Sequence, residues 1–266
     1  MLPETMPVCP VRGSVIYPTM VMPIDAGRPI SIRAIDEALA RDRVLLIVSQ
    51  RDKEVETPRP SDLFEVGTAC NILKMRKNPD GSVQVLVQAF ARVRVREWLD
   101  LGDHLEARGE VLADEPGEPI LVKALVREVK DKFQALLKEG KYLAPEVAQF
   151  ILNLEDPSQL ADYVAFHMDF RLEDKQKVLE TANVAERLRA VLVLLEAELA
   201  LIETQRRIQQ QVKEEIDRNQ REYFLREQMK AIQRELHGEE GEQEVEEFRR
   251  KLEALDLPPV VRQEAE

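Results

Sequence analysis

Apolar and polar residues alternate over short distances in the first part of the chain and recur at helical spacing in the rest. Val44 to Val48 is an unbroken apolar run suited to a strand buried on both faces, and Val66 to Met75 is a second strand candidate. Ser82 to Val95 alternates for most of its length. Between these last two, Asn78-Pro79-Asp80-Gly81 supplies proline where a turn wants a fixed φ and glycine where it wants a positive one, which predicts a hairpin. Ser31 to Asp42 stands apart, because Ile32, Ile35, Ala38 and Leu39 recur at helical spacing behind a capping-type serine. Five or six short strands around one helix predict a small, partly open antiparallel β barrel, since a parallel sheet would need a helix after each strand.

The change of pattern falls near Asp114 to Pro119, placing a first lobe at 1–117. Beyond it, Ile120 to Lys138, Pro145 to Leu154, Pro157 to His167 and Leu172 to Glu180 read as short helices with Pro or Asp at their starts, a helical-bundle lobe over 118–202. From Val184 to Leu236 neither proline nor glycine occurs for 53 positions, which predicts one very long, protruding helix. Val184, Leu188, Val191, Leu195, Leu199 and Ile202 make a dense core stripe. The continuation, 203–237, first keeps only Ile208, Val212 and Ile216 on one face. That stripe suits a weak coiled-coil seam, the alternative being a solvated polar helix with incidental aliphatics. Leu225, Met229, Ile232 and Leu236 restore a denser stripe before Gly238 and Gly241, which are expected to end the helix. Phe248, Leu252 and Leu255 suggest one more short helix within a final linker, 238–266. Pro258-Pro259 begins something that Glu266 cuts off, the pattern of a truncated chain. The fold class is therefore α+β, a small barrel followed by an all-α part.

Composition narrows the function. The net charge is -12, with 15 basic against 18 acidic residues in 1–117 and 23 against 32 in 118–266, so the electrostatic footprint of a nucleic-acid binder is missing from both halves. Met1 to Pro10 lacks a basic start and an apolar run, and the longest apolar stretches fall far short of a membrane span, so a cytoplasmic protein without a membrane partner is expected. Two cysteines, Cys9 and Cys70, are too few for a disulfide framework or a zinc site and read as small buried hydrophobes.

Catalytic chemistry is hard to place. The single Gly-Lys pair, Gly140-Lys141, is followed by Tyr142 where a phosphate loop needs a metal-binding hydroxyl, so no nucleotide site is expected here. His104, His167 and His237 fall in different elements without paired metal-ligand spacing, and read as surface or interfacial residues. Adjacent carboxylates such as Glu214-Glu215 diverge on a helix and suit a solvated face. Neither catalytic, metal nor cofactor residues are nominated, and 1–266 alone is not expected to be an enzyme.

Pro10-Val11-Arg12-Gly13-Ser14-Val15-Ile16-Tyr17-Pro18, followed by Pro23-Ile24 and Gly27-Arg28, resembles the opening of the bacterial Lon protease N-terminal region. Asn219 to Leu236 is similar to a hallmark stretch of that family just ahead of its ATPase module, and the Asp80-Gly81 hairpin, Ala89 to Val95 and Arg108 to Val111 also fit. The resemblance implies a PUA-like barrel, a helical bundle and a long helix facing neighbouring subunits of a hexamer. It further implies a parent ATP-dependent serine endopeptidase whose ATP, magnesium and Ser-Lys dyad belong beyond Glu266. These residues would then serve substrate recognition and assembly, acting on unfolded or damaged proteins. A stand-alone PUA-like binding module and a coiled-coil adaptor are the alternatives.

A receptor for unfolded chains needs solvent-facing hydrophobes. Val83, Val85 and Val87 share one face of their strand, so Leu86, flanked by Gln84 and Gln88, is expected to face water. Val11 and Pro23 are the next candidates, with Met20 and Met22 able to adapt to varied ligands. Ile208, Val212, Ile216, Tyr223, Phe224 and Met229 are the expected inter-subunit contacts of the long helix.

Overall fold

A computed structural model describes residues 2–139 and 143–253. Six strands and one helix form the first part: β1 (Met6–Val11), β2 (Val21–Ala26), α1 (Pro29–Ala40), β3 (Val44–Ser49), β4 (Val66–Lys77), β5 (Val83–Asp100) and β6 (Leu105–Val111). The order is β2-β5-β4-β3-β1-β6, and β5 also pairs with β6, so β5, β4, β3, β1 and β6 close into a ring with β2 attached to the first half of β5. Closure is possible because β5 is long and bent, with one register shift against β6 and one of two against β4 lying near its middle. Every pairing is antiparallel except β1–β3, which is parallel because α1 carries the chain back across the sheet. The sheet is thus mixed, a correction to the all-antiparallel expectation.

β3 is buried throughout, as its unbroken apolar run required. Val44, Leu46 and Val48 point into the barrel with Met6, Val8, Val93 and Leu105, while Leu45 and Ile47 pack with Ala34, Ile35 and Ala38 of α1. That helix begins earlier than expected. Pro29 takes the first helical position, where its missing N–H is harmless, and Ser31 is buried instead of capping. At the β4–β5 turn Gly81 adopts φ 85°, and Ser82 N–H donates to the Asp80 carboxylate at 2.9 Å.

Five helices follow: α2 (Pro119–Lys138), α3 (Pro145–Asn153), α4 (Pro157–His167), α5 (Leu172–Glu180) and α6 (Val184–Glu253). Proline opens α2, α3 and α4, and the carboxylates of Glu118 and Asp156 accept from the free N–H groups of α2 and α4. Leu125, Val129, Phe133 and Leu136 of α2 form one buried stripe beside Ile151, Leu160 and Val164. The α6 backbone stays helical through Gly238 and Gly241, contrary to the expected break, since a glycine costs a helix only about 1 kcal/mol. Phe248 therefore belongs to α6, while Leu255 and Pro258 lie outside the described residues.

Contacts divide the chain into two compact units, Met1–Leu201 and Ile202–Glu266. Within the first, a buried ionic cluster joins barrel to helices. Arg92 of β5 donates to both oxygens of Asp162 on α4, and its Nε lies 3.2 Å from the Leu179 carbonyl. Arg187 of α6, fully buried, donates to Asp114 at 2.6 Å, Ser158 at 2.7 Å and the Thr181 carbonyl at 2.7 Å. Burial pushes the Asp162 carboxyl up to about 6, against the pull of Arg92 and Arg187. Burial also opposes ionisation of Asp114, but hydrogen bonds from Arg187 and Ser158 outweigh it and hold this carboxyl below its ordinary value. Tyr17 Oη to the Lys175 carbonyl at 2.8 Å and Gln176 Nε2 to the Val66 carbonyl at 2.8 Å add two further ties.

Candidate functional site

Strands β2, β5 and β4 lie side by side, and their register decides what they show to solvent. Val21 faces Gln88, Pro23 faces Leu86 and Asp25 faces Gln84, while on the other side of β5 Leu86 faces Lys74. Because side chains alternate, Val21, Pro23, Leu86 and Gln88 share the outer face, whereas Val83, Val85 and Val87 are buried beneath it. Val21 is 54% exposed, Pro23 is exposed and Leu86 is half-buried. The structure makes Pro23 and Leu86 direct cross-strand neighbours; Pro23 is exposed as expected, while Leu86 is more covered than an open solvent-facing position.

Two further hydrophobes join this face through irregularities in the ladder. Leu73 has no partner in the register shift between Ile72 and Lys74, and Phe90 has none between the pairs Cys70–Ala89 and Ala69–Ala91. A residue left over in a bulge loses its cross-strand neighbour and is aimed outward; Leu73 is 46% and Phe90 38% exposed. Sequence reasoning missed both, as well as Val21. The signal was an apolar residue out of step with the period of two.

The remaining candidates need correction. Met20 is buried at 4% exposure, a core residue whose backbone carbonyl accepts from Ala89, so it offers no surface. Val11 and Met22 are only partly exposed, because both pack against the apolar cluster beneath α1. Together with Pro23 they line a groove of about 300 Å³ between the end of β1 and β2, where Arg12 and Arg28 supply positive charge.

On the second unit, every residue from Glu203 to Glu235 is exposed. Ile208, Val212 and Ile216 are each at least 50% exposed. At about 100° per residue these three and Tyr223 fall within an arc of roughly 80°, with Met229 about 60° to one side and Phe224 about 80° to the other. The six candidates therefore form one stripe of four with two outliers.

Other reactive side chains are accounted for by packing. Burial pushes the Cys9 thiol up to about 11 and raises Cys70 further, which leaves both unreactive. His104 is buried between Asp103 at 2.7 Å and Glu106 at 3.3 Å, not superficial as expected, and His167 sits half-buried against Tyr163 and Phe166. The His237 side chain and Gly140 to Tyr142 lie outside the described residues. Among the described residues no cluster of metal-ligating side chains occurs, and no helix is long and apolar enough to cross a membrane.

The model of the ATP-dependent protease La (LON) substrate-binding domain matches residues 5–197. Lon protease of Brevibacillus choshinensis is 37% identical over 262 residues, 98% of this chain and 34% of its own length. Lon protease of Escherichia coli K12 is 39% identical over 261 residues, 98% of this chain and 33% of its own. The N-terminal domain of Mycobacterium avium complex Lon protease superposes with a TM-score of 0.61 at 26% identity, covering 73% of this chain and 98% of that one. The chain thus spans about one third of the length of these curated relatives. With the matched residues running through the barrel and the helices packed on it, the chain belongs to the Lon protease substrate-binding domain family.

Proposed function

We propose that these residues form the substrate-receiving region of an ATP-dependent Lon protease, capturing exposed apolar segments of misfolded and regulatory proteins and passing them to ATPase and protease modules elsewhere in the polypeptide. ATP, magnesium and a Ser-Lys dyad belong to those other modules; the region 1–266 binds and does not cleave. The parent enzyme works in the cytoplasm as a hexamer, and the stripe Ile208, Val212, Ile216 and Tyr223 on α6 supplies contacts between its subunits. Neither nucleic acid nor a membrane is a partner of this region.

The observation that supports the reading is the apolar outer face of the β2–β5–β4 sheet, where Val21, Pro23, Leu73, Leu86 and Phe90 stand in or near solvent without a function in the barrel core. Such a face is suited to weak, sequence-tolerant contact with an unfolded chain. Six copies in a hexamer would raise avidity without stronger individual contacts. The test is Leu86→Asp. Its side chain lies on the face opposite the buried Val85 and Val87, so the variant is expected to fold while its affinity for a permanently unfolded, reduced and alkylated protein falls by about tenfold, the loss of one ~1.4 kcal/mol apolar contact. Unchanged affinity would refute the assignment.

A further inference from the structure

The groove between the end of β1 and strand β2 holds a cation that no carboxylate of the described residues contacts. Arg28 is half-buried there, and its N–H groups go to neutral acceptors: Nη2 to the Pro10 carbonyl at 2.6 Å, Nη1 to the Gln50 side-chain oxygen and to the Glu56 carbonyl at 3.4 Å. A guanidinium carries five N–H donors, so Nε–H and one N–H of Nη2 are left without a partner among these contacts. Arg12 is different, since the Glu56 carboxylate neutralises it at 3.0 Å. Asp25, the acid in the groove lining, is engaged by Gln84 Nε2 at 2.8 Å. Burial, and then repulsion by Arg12, lower the Arg28 pKa, with the nearby Glu56 carboxylate acting weakly in the other direction.

The surroundings define what could supply the missing charge. Val11, Met22, Pro23 and Ile24 wall the groove, and Pro23 belongs also to the apolar outer face, so groove and face share a residue on strand β2. Ser31 and Ile32 N–H groups both bond the Arg28 carbonyl at 3.0 Å, and Pro29 has none, so these three positions at the start of α1 offer no amide to a chain terminus. A groove of this size, with Arg28 in its lining, suits a carboxylate carried on a flexible side-chain stem.

We infer that this groove takes the side-chain carboxylate of an internal Asp or Glu of the captured segment, bound through two N–H groups of Arg28, so that clients with an acidic residue beside an apolar run are preferred. The inference rests on the capture reading above and adds a chemical preference to it.

Three labelled, unfolded peptides sharing one apolar run test it by fluorescence anisotropy against the full 266-residue chain. Two are amidated at the C-terminus and differ only by Glu or Gln beside the run; the third carries Gln and a free C-terminal carboxylate. The Glu peptide is expected to bind about tenfold tighter than its Gln counterpart, in line with a charge-assisted contact. The ratio should fall to near one with Arg28→Met and to an intermediate value with Arg28→Lys, which keeps the charge and loses the fork. Arg28→Met also loses the bonds to Pro10, Gln50 and Glu56, so the peptide pair on the unaltered protein and the lysine variant carry the test independently. Equal binding of the two amidated peptides, or a ratio that survives Arg28→Met, overturns the inference; so does an equal gain by the free-acid peptide. If the Gln peptide binds and is weakened by Leu86→Asp but no Glu preference exists, the groove assignment fails and capture stands. If no peptide binds, the capture reading fails and takes this one with it.

Discussion

Replacing Arg187 with methionine removes the best-buried charge in the first unit while keeping most of the side-chain volume. The guanidinium is fully buried and donates to Asp114, Ser158 and the carbonyls of Thr181 and Ala182. Removing one partner of a buried ion pair costs about 3–5 kcal/mol, because the charge left behind cannot recover its hydration. Here the lower end applies. Asp162 keeps both contacts from Arg92, Asp114 keeps Ser158 and Arg92, and the Ala182 carbonyl keeps the Glu115 N–H, leaving the Thr181 carbonyl stripped of side-chain donors. A loss of about 3 kcal/mol corresponds to roughly 6–12 °C in Tm for a unit of this size. The assay is thermal denaturation followed by circular dichroism at pH 7, with Arg96→Ala as the control. Arg96 is exposed and pairs with Glu110 at the surface, so that change should leave the melting temperature essentially unchanged. If Arg187→Met melts within about 2 °C of the parent, the cluster does not join barrel to helices in the way described.

Two other outcomes follow from local geometry. A Cβ at Gly67 would stand 2.5 Å from the Ile47 carbonyl oxygen, which is backbone and cannot step aside, so Gly67→Ala should cost about 1–3 kcal/mol in chemical denaturation, whereas Gly27→Ala, with open space around it, should be tolerated. Burial, and then Lys175, lower the His167 pKa below 6.5 in the folded state; the unfolded chain therefore takes up this proton first, and stability present above pH 6.5 is lost as pH falls through the folded pKa. The Tm of the parent should accordingly drop more than that of His167→Gln between pH 7.5 and 5.5, and parallel curves would refute the assignment.

The division into a β-rich and a helical part was legible because it is written in local rules. Prolines at the first position of α2, α3 and α4, the Asp80-Gly81 turn and the double burial of β3 each follow from a few neighbouring residues. What escaped depends on distant partners. The parallel pairing of β1 with β3 leaves no trace in either strand, and nothing beside Arg92 or Arg187 in the sequence points to the Asp162 that α4 brings to them. At the candidate site, the alternation of β5 put Leu86 on the face opposite Val85 and Val87, but the bulges that turn out Leu73 and Phe90 break that same alternation. Met20 failed for the opposite reason: its adaptable side chain suits a ligand surface and a core gap equally, and only burial separates the two.

The central claim is that unfolded polypeptide lies on the outer face of β2, β5 and β4. Methyl-labelled NMR of the 266-residue chain, titrated with a permanently unfolded protein, tests it most directly. Val21, Leu73 and Leu86 methyls should shift and broaden together, while Val44, Leu46 and Val48 inside the barrel stay unchanged. Perturbations confined to the helices, or none at saturating ligand, would contradict the account.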